Sequence, residues 1–167
     1  MCYFRCGFCA FSKGPKSLNL RGEPYLLTPE EVAGRATEAW AMGATEVCMQ
    51  GGIHHSFTGD NYREYLEAVK AAVPGMHVHA FTALEVMQGA EASGIEVRAF
   101  LEQLRDAGLA TLPGTAAEVL DDDIRAIICP DKIDTEQWCE VHRIAHSLGL
   151  RSNATIMFGT VEGPKNW

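Results

Sequence analysis

The sequence predicts an α/β fold on a sheet of parallel strands. Three observations carry this expectation. Helix-type and strand-type patterns alternate four times along the chain, the order of β/α units joined by right-handed crossovers. Each strand pattern is a short run closed by glycine, proline or a polar turn before the next helical stretch. The length of 167 residues, 47% of them hydrophobic, suits one domain with a sizeable core.

Thr28-Pro29-Glu30-Glu31 starts the first helix, with Thr28 as N-cap, Pro29 at the first position and Glu31 closing a capping box. That helix runs to about Ala41–Met42 and stops at Gly43. Glu46 to Gln50 reads as a buried-type strand ending in Gly51-Gly52. Asn61 to Val73 is amphipathic, with Tyr62, Tyr65, Leu66, Val69 and Val73 on one stripe, and ends at Pro74-Gly75. The strand His77 to Phe81 follows.

A helix from about Glu96 to Ala107 turns Val97, Phe100, Leu101 and Leu104 inward and ends at Gly108. Leu109 to Leu112 is the next strand, closed by Pro113-Gly114. Short helical turns at about Ala116–Leu120 and Asp123–Ile128 precede a helix capped by Asp134 and ending near Leu148-Gly149. Asn153 to Phe158 is the fourth strand, with Gly159 opening its exit loop.

Such a series opens as a doubly wound sheet or closes as a barrel, and both place ligands at the carboxyl ends of the strands. Gly51-Gly52, Thr82 to Glu85, Pro113-Gly114 and Gly159 to Glu162 all fall there. An eightfold barrel takes about 250 residues and rarely fewer than about 200. The chain therefore reads as a single partial domain over 1–167, an internal piece of a larger barrel truncated at both ends, with open edges that favour aggregation and poor turnover.

The chain carries 14 Lys and Arg against 22 Asp and Glu, a formal net charge of −8. That balance offers no basic face for a nucleic acid. No apolar run approaches the about 20 residues of a membrane span, and the first residues do not form a signal peptide. A soluble cytoplasmic protein is expected. Six cysteines stand at 2, 6, 9, 48, 129 and 139. Three are crowded at the amino terminus, where chance spacing is a poor explanation, so the trio reads as a site.

Cys2-x3-Cys6-x2-Cys9 places three soft thiolates on one short loop. A structural zinc site wants four ligands, so zinc would need Cys48 or a distant His. An electron-transfer ferredoxin also wants a fourth Cys, and Cys129-Pro130 has that look but stands far along the sequence. Three ligands on a four-iron cluster leave one iron open for a ligand.

Cys2-Tyr3-Phe4-Arg5-Cys6-Gly7-Phe8-Cys9 resembles the CxxxCxΦC motif of the radical S-adenosylmethionine (SAM) family. Gly51-Gly52 looks like that family's glycine motif for the SAM amino group. Within the family, Cys9 to Ser12, Gln50 to His54, His77 to Phe81, Leu112 to Glu118 and Cys129 to Lys132 resemble the 4-hydroxyphenyl transferase half of FO synthase. Menaquinone-pathway relatives share several of these segments.

The resemblance implies a partial TIM-like radical SAM β/α barrel. It implies a 4Fe-4S cluster on Cys2, Cys6 and Cys9, with Phe8, Gly51, Gly52, Thr82, Glu85 and Glu118 as cofactor-binding residues. The reduced cluster would cleave SAM to a 5′-deoxyadenosyl radical, which takes a hydrogen from the tyrosine amino group. Cα–Cβ cleavage would then deliver a 4-hydroxybenzyl unit to 5-amino-6-(D-ribitylamino)uracil, on the route to a deazaflavin. A reductant protein and the other half of FO synthase are the implied partners. Individual catalytic residues are not assigned.

Each role has a structural alternative: packing for Phe8, a plain turn for Gly51-Gly52, a solvated side chain for Glu85, and a helix-surface carboxylate for Glu118. His77 and His79 alternate on one strand and share a face, either buried or lining the substrate space. His142 and His146, four apart on a helix, read as packing, and Cys48 and Cys139 as small buried apolar residues. Two segments depart from the family pattern: Thr82-Ala83-Leu84-Glu85 stands where Ser-Pro-Met-Glu is commoner, and Thr160 stands where His is expected, a change that bears on substrate. The competing readings are a menaquinone-pathway enzyme, a zinc-binding domain and an inactive truncated product.

Overall fold

A computed structural model describes residues 2–9, 11 and 25–167. The first helix, α1 (Pro29–Ala41), begins as the sequence requires. The Glu31 amide donates to Thr28 Oγ1 at 3.2 Å, and the Thr28 amide donates to Glu31 Oε2 at 2.7 Å. The chain continues through β1 (Glu46–Met49), α2 (Gly59–Ala72), β2 (His77–Ala80), α3 (Ala83–Ser93), α4 (Val97–Asp106) and β3 (Thr111–Leu112). It then forms α5 (Asp122–Ile128), α6 (Thr135–Ser147), β4 (Arg151–Ser152) and a 3-10 turn at Pro164–Asn166.

The four strands pair in parallel in the order β1-β2-β3-β4. A doubly wound sheet reverses its strand order at a switch point, and this one does not. Successive crossovers in one direction put the helices that pack on the sheet on one side. Val78, Ala80 and Leu112, each 0% exposed, turn to that side. There they join Leu66, Val69, Val86, Phe100, Leu104 and Ala145 in the main core. The opposite face carries Glu46, Cys48, His77, His79 and Thr111, none of them buried. His77 and His79 therefore share a face, and it is the open one.

Three expectations fail. Helix α3 has no counterpart in the sequence reading. Its buried positions, Ala83 to Val86, Gly89 and Ala90, wrap much of the helix instead of forming a stripe. Its start signal is nevertheless present, because Thr82-x-x-Glu85 is a capping box. No helical turn forms at 116–120, where Ala116 and Glu118 adopt φ of 70° and 51°. The fourth strand is Arg151–Ser152 instead of 153–158. β3 ends at Leu112, so no ladder continues beyond the Asn153 amide, which donates to the Leu112 carbonyl at 3.3 Å. Asn153 and Thr155 turn instead to Gly114: its amide donates to Asn153 Oδ1 at 2.6 Å, and Thr155 Oγ1 donates to its carbonyl at 2.8 Å.

Candidate active site at the carboxyl ends of the strands

The cysteine loop lies against the segments that leave β1 and α5. The Tyr3 amide donates to the Ile53 carbonyl at 3.2 Å, and the Gly7 amide to the Ile128 carbonyl at 2.9 Å. The Arg5 amide donates to Asp131 Oδ2 at 2.9 Å. Two small apolar groups hold the loop from either side. Cys6 and the half-buried Cys9 pack with Val119, Ile124, Ile128 and Cys129, while Cys2 packs with Ile53, Leu84 and Ala116. Within the loop the Cys9 amide donates to the Cys6 carbonyl, which turns the chain between the last two thiols.

All six thiols are free. Burial, first, pushes the Cys6 thiol up to about 11; Lys132 opposes this, and Cys129, Cys9 and Cys2 add to it. The loop thiols thus feel one another electrostatically. Among the described residues no three His, Cys, Asp or Glu side chains converge closely enough to grip a metal ion. The donors fit the chemistry of an iron-sulfur cluster nonetheless: three free soft thiols on one short loop, backed by apolar groups and one cation. Cys48 is exposed on the open sheet face, against the expectation of burial, because its strand position points away from the helices. Cys129, 1% exposed beside Cys6, is the fourth thiol that stands near the trio.

Glu85 is 2% exposed, which removes the solvated reading. Its Oε1 accepts the Gly51 amide at 2.8 Å. Its Oε2 accepts the Thr82 amide at 2.8 Å and the Thr82 hydroxyl at 2.9 Å. Burial raises the carboxyl to about 7, partly countered by these hydrogen bonds and by Lys132. Thr82 and Glu85 are thus the cap of α3 and the clamp on the glycine turn, and Glu85 has no oxygen facing open solvent. A Cβ on Gly51 would meet only Glu85 Oε1, at an ordinary 3.5 Å, so nothing among the described residues demands glycine there. The room beside Gly51 is available to a ligand.

Glu118 is not on a helix. It stands in the loop after β3, 13% exposed, and pairs with Lys132 Nζ at 2.6 Å. The same ammonium lies 5.4 Å from the Phe8 ring centroid, and Phe8 is 40% exposed. A cation–π contact of this kind joins the cysteine loop to the Glu118 loop. An open cleft of about 320 Å³ runs from Glu118 past Thr155 and Ile156 to Lys165. Phe81, Ala116 and Glu118, the non-glycine residues with positive φ among the described residues, all lie just beyond β2 and β3. Each costs about 1–2 kcal/mol, and strain of this kind concentrates where ligands are handled.

Arg125 escaped the sequence reading. At 4% exposed, its guanidinium donates to the carbonyls of Ala116, Ala117, Val119 and Ile133, and so fixes the loop that carries Glu118. A lone Arg inside a short helix gives no pattern signal. Lys132 and Asp131 were visible only as part of the Cys-Pro-Asp-Lys segment. Glu162 caps its own turn, accepting from Thr160 and Gly159. His142 is buried, stacked on Trp138 and bonded to its carbonyl, while His146 bonds Ser152; both are structural.

Comparison with known proteins agrees with this arrangement. The chain is 47% identical over 167 residues to FO synthase of Streptomyces avermitilis, covering 19% of it. It is equally similar, over the same share, to FO synthase of Mycobacterium tuberculosis. It is 41% identical to the 5-amino-6-(D-ribitylamino)uracil--L-tyrosine 4-hydroxyphenyl transferase of Methanopyrus kandleri, covering 44% of it. The chain thus spans about a fifth of the FO synthases and under half of the transferase. A dipeptide epimerase from Enterococcus faecalis aligns with 80% of the chain, and the chain with 45% of it, at 12% identity and a TM-score of 0.35, too low to support an inference. A family model for the radical SAM superfamily matches residues 1–166, and with the cysteine loop and glycine turn brought together at one end of a parallel sheet, the chain belongs to that superfamily.

Proposed function

We propose that this chain is part of the core of a 4-hydroxyphenyl transferase of deazaflavin biosynthesis, with tyrosine as donor and 5-amino-6-(D-ribitylamino)uracil as acceptor. The observation that carries this is identity of 41–47% over the whole chain to proteins named for that reaction. Strand order in sequence, with helices on one side, supports a place in a β/α barrel. A reductant protein and a partner half of FO synthase complete the reading, in a reducing cytoplasm that keeps the free thiols unpaired.

Cys2, Cys6 and Cys9 would hold the cluster, with apolar groups packed behind them that exclude water. When bound, the cluster and SAM would supply radical chemistry for tyrosine. The protein's part is positioning and exclusion of water. Glu85 fixes the Gly51 amide and thereby the path of the glycine turn that receives the SAM amino end. Phe8 offers an aromatic face to adenine, and Glu118, oriented by Lys132, an acceptor to the ribose hydroxyls. Thr82 caps α3 and holds Glu85 in place through its amide and hydroxyl.

The test is anaerobic reconstitution with iron and sulfide, followed by electron paramagnetic resonance of the reduced protein with and without SAM. A four-iron signal that changes on SAM addition, with tyrosine-dependent release of 5′-deoxyadenosine, is the expected result. Zinc alone, or a cluster blind to SAM, overturns the reading.

A further inference from the structure

The open face of the sheet carries a row of polar side chains that the proposed roles leave unused. The Gly114 amide donates to Asn153 Oδ1 at 2.6 Å, which turns Asn153 Nδ2 toward His79 Nε2 at 3.3 Å. An amide nitrogen only donates, so His79 Nε2 accepts and neutral His79 carries its proton on Nδ1. That proton goes to Thr111 Oγ1, 2.7 Å away. The Thr111 hydroxyl keeps its own hydrogen to give and lies 2.9 Å from His77 Nε2; donation there leaves the His77 proton on Nδ1. Glu46 Oε2 lies 3.5 Å from His77 Nε2, where it stabilises a cation. One direction of donation satisfies every contact in the row, and the far end has a counter-charge.

We propose that this row is a proton relay serving a ligand that presents an uncharged N–H or O–H acid to the open face, an inference that rests on the function proposed above. Tyrosine, through its phenol, and the ribitylaminouracil, through its ring N–H, both belong to that class. The ligand enters at the long Asn153–His79 contact and takes the place of the amide donor. The ligand proton moves to His79 Nε2, the His79 Nδ1 proton to Thr111 Oγ1, and the Thr111 hydroxyl proton to His77 Nε2. The balance is one ligand anion and one His77 imidazolium beside Glu46, with His79 and Thr111 neutral as before. His79 touches the ligand; Thr111 and His77 act through it. Cys48 on β1 and Arg151 on β4, in register with His79 and Thr111, are the other titratable groups along the row.

The relay is read without turnover by long-range 1H–15N spectra of 15N-histidine-labelled protein. The expected resting state is Nδ1–H on both His77 and His79, against the Nε2–H form usual in solution. In Thr111→Val the His77 proton leaves Nδ1 for Nε2, beside Glu46, and in Thr111→Ser it stays on Nδ1. In the reconstituted enzyme Thr111→Val lowers kcat about 100-fold with KM unchanged, and Thr111→Ser recovers it. Nε2–H on either ring of the resting wild type, or a His77 tautomer that ignores Thr111→Val, overturns the relay. Wild-type protein with no SAM response and no turnover counts against the function instead, while the spectra still judge the relay.

Discussion

Glu85 shows how far one side chain's meaning depends on its surroundings. Between its ordinary 4.5 and its folded value of about 7, the folded chain binds more protons at Glu85 than the unfolded chain does. Its contribution to stability is therefore complete below about pH 4.5, declines as pH rises and is gone above about 7, amounting to about 3 kcal/mol at most. Urea titrations between pH 5 and 8 are expected to show this decline in the wild type and its absence in Glu85→Gln. Cys129 permits a second test. If three thiols hold the cluster, Cys129→Ser retains four-iron content and the SAM response; loss of metal from that variant makes Cys129 the fourth ligand of a closed site. The cysteine spacing and the glycine pair were legible in the sequence because covalent spacing alone brings such groups together. The clamp from Glu85 to Gly51 was not, since it joins residues 34 positions apart through a fold that had first to form.

At the scale of elements, α3 and the loop after β3 explain where sequence reading stops. Periodicity finds helices with one wet face, as in α4, and passes over one buried on several sides. The sequence did show the Thr82-x-x-Glu85 box, but a carboxylate at a strand exit has two readings, and only burial selects the cap. The loop 113–120 has no regular pattern because its order comes from Arg125 and from Gly114. A Cβ on Gly114 would stand 2.5 Å from the Ala154 Cα and the Asn153 carbonyl oxygen, a backbone approach that cannot give way. Gly114→Ala is therefore expected to cost about 1–3 kcal/mol, as overpacking does. Arg125→Met keeps the apolar stem but strips four carbonyls of their donor, for a loss of about 3–5 kcal/mol. Arg125→Lys recovers only part of this, because a point charge cannot bridge carbonyls on both sides of α5. Chemical denaturation of the three variants against the wild type measures each loss; an Arg125→Met chain as stable as its parent would remove Arg125 as the loop's organiser.

At the scale of the whole molecule, two tendencies oppose each other. Among the described residues β1 and β4 each pair on one side only, and the open sheet face is polar but unpacked. Beyond β4 the chain exposes Ile156, Phe158, Val161 and Trp167, the last at 61%. Unpaired edges and neighbouring apolar side chains favour association with a second copy. The net charge of −8 opposes it. Repulsion between exposed charges reaches about 10 Å at 0.1 M salt and about 3 Å at 1 M, whereas apolar contact is not weakened by salt. Association of this chain is therefore expected to strengthen as salt rises, opposite to an assembly held by ion pairs. Sedimentation velocity across protein concentration, at 0.05 M and 0.5 M sodium chloride, decides between them. A larger sedimentation coefficient at the higher salt, reversed by Phe158→Ser with Trp167→Ser, assigns the contact to the exposed carboxyl-terminal segment. A monomer under every condition would show that the charge outweighs both the edges and the apolar segment.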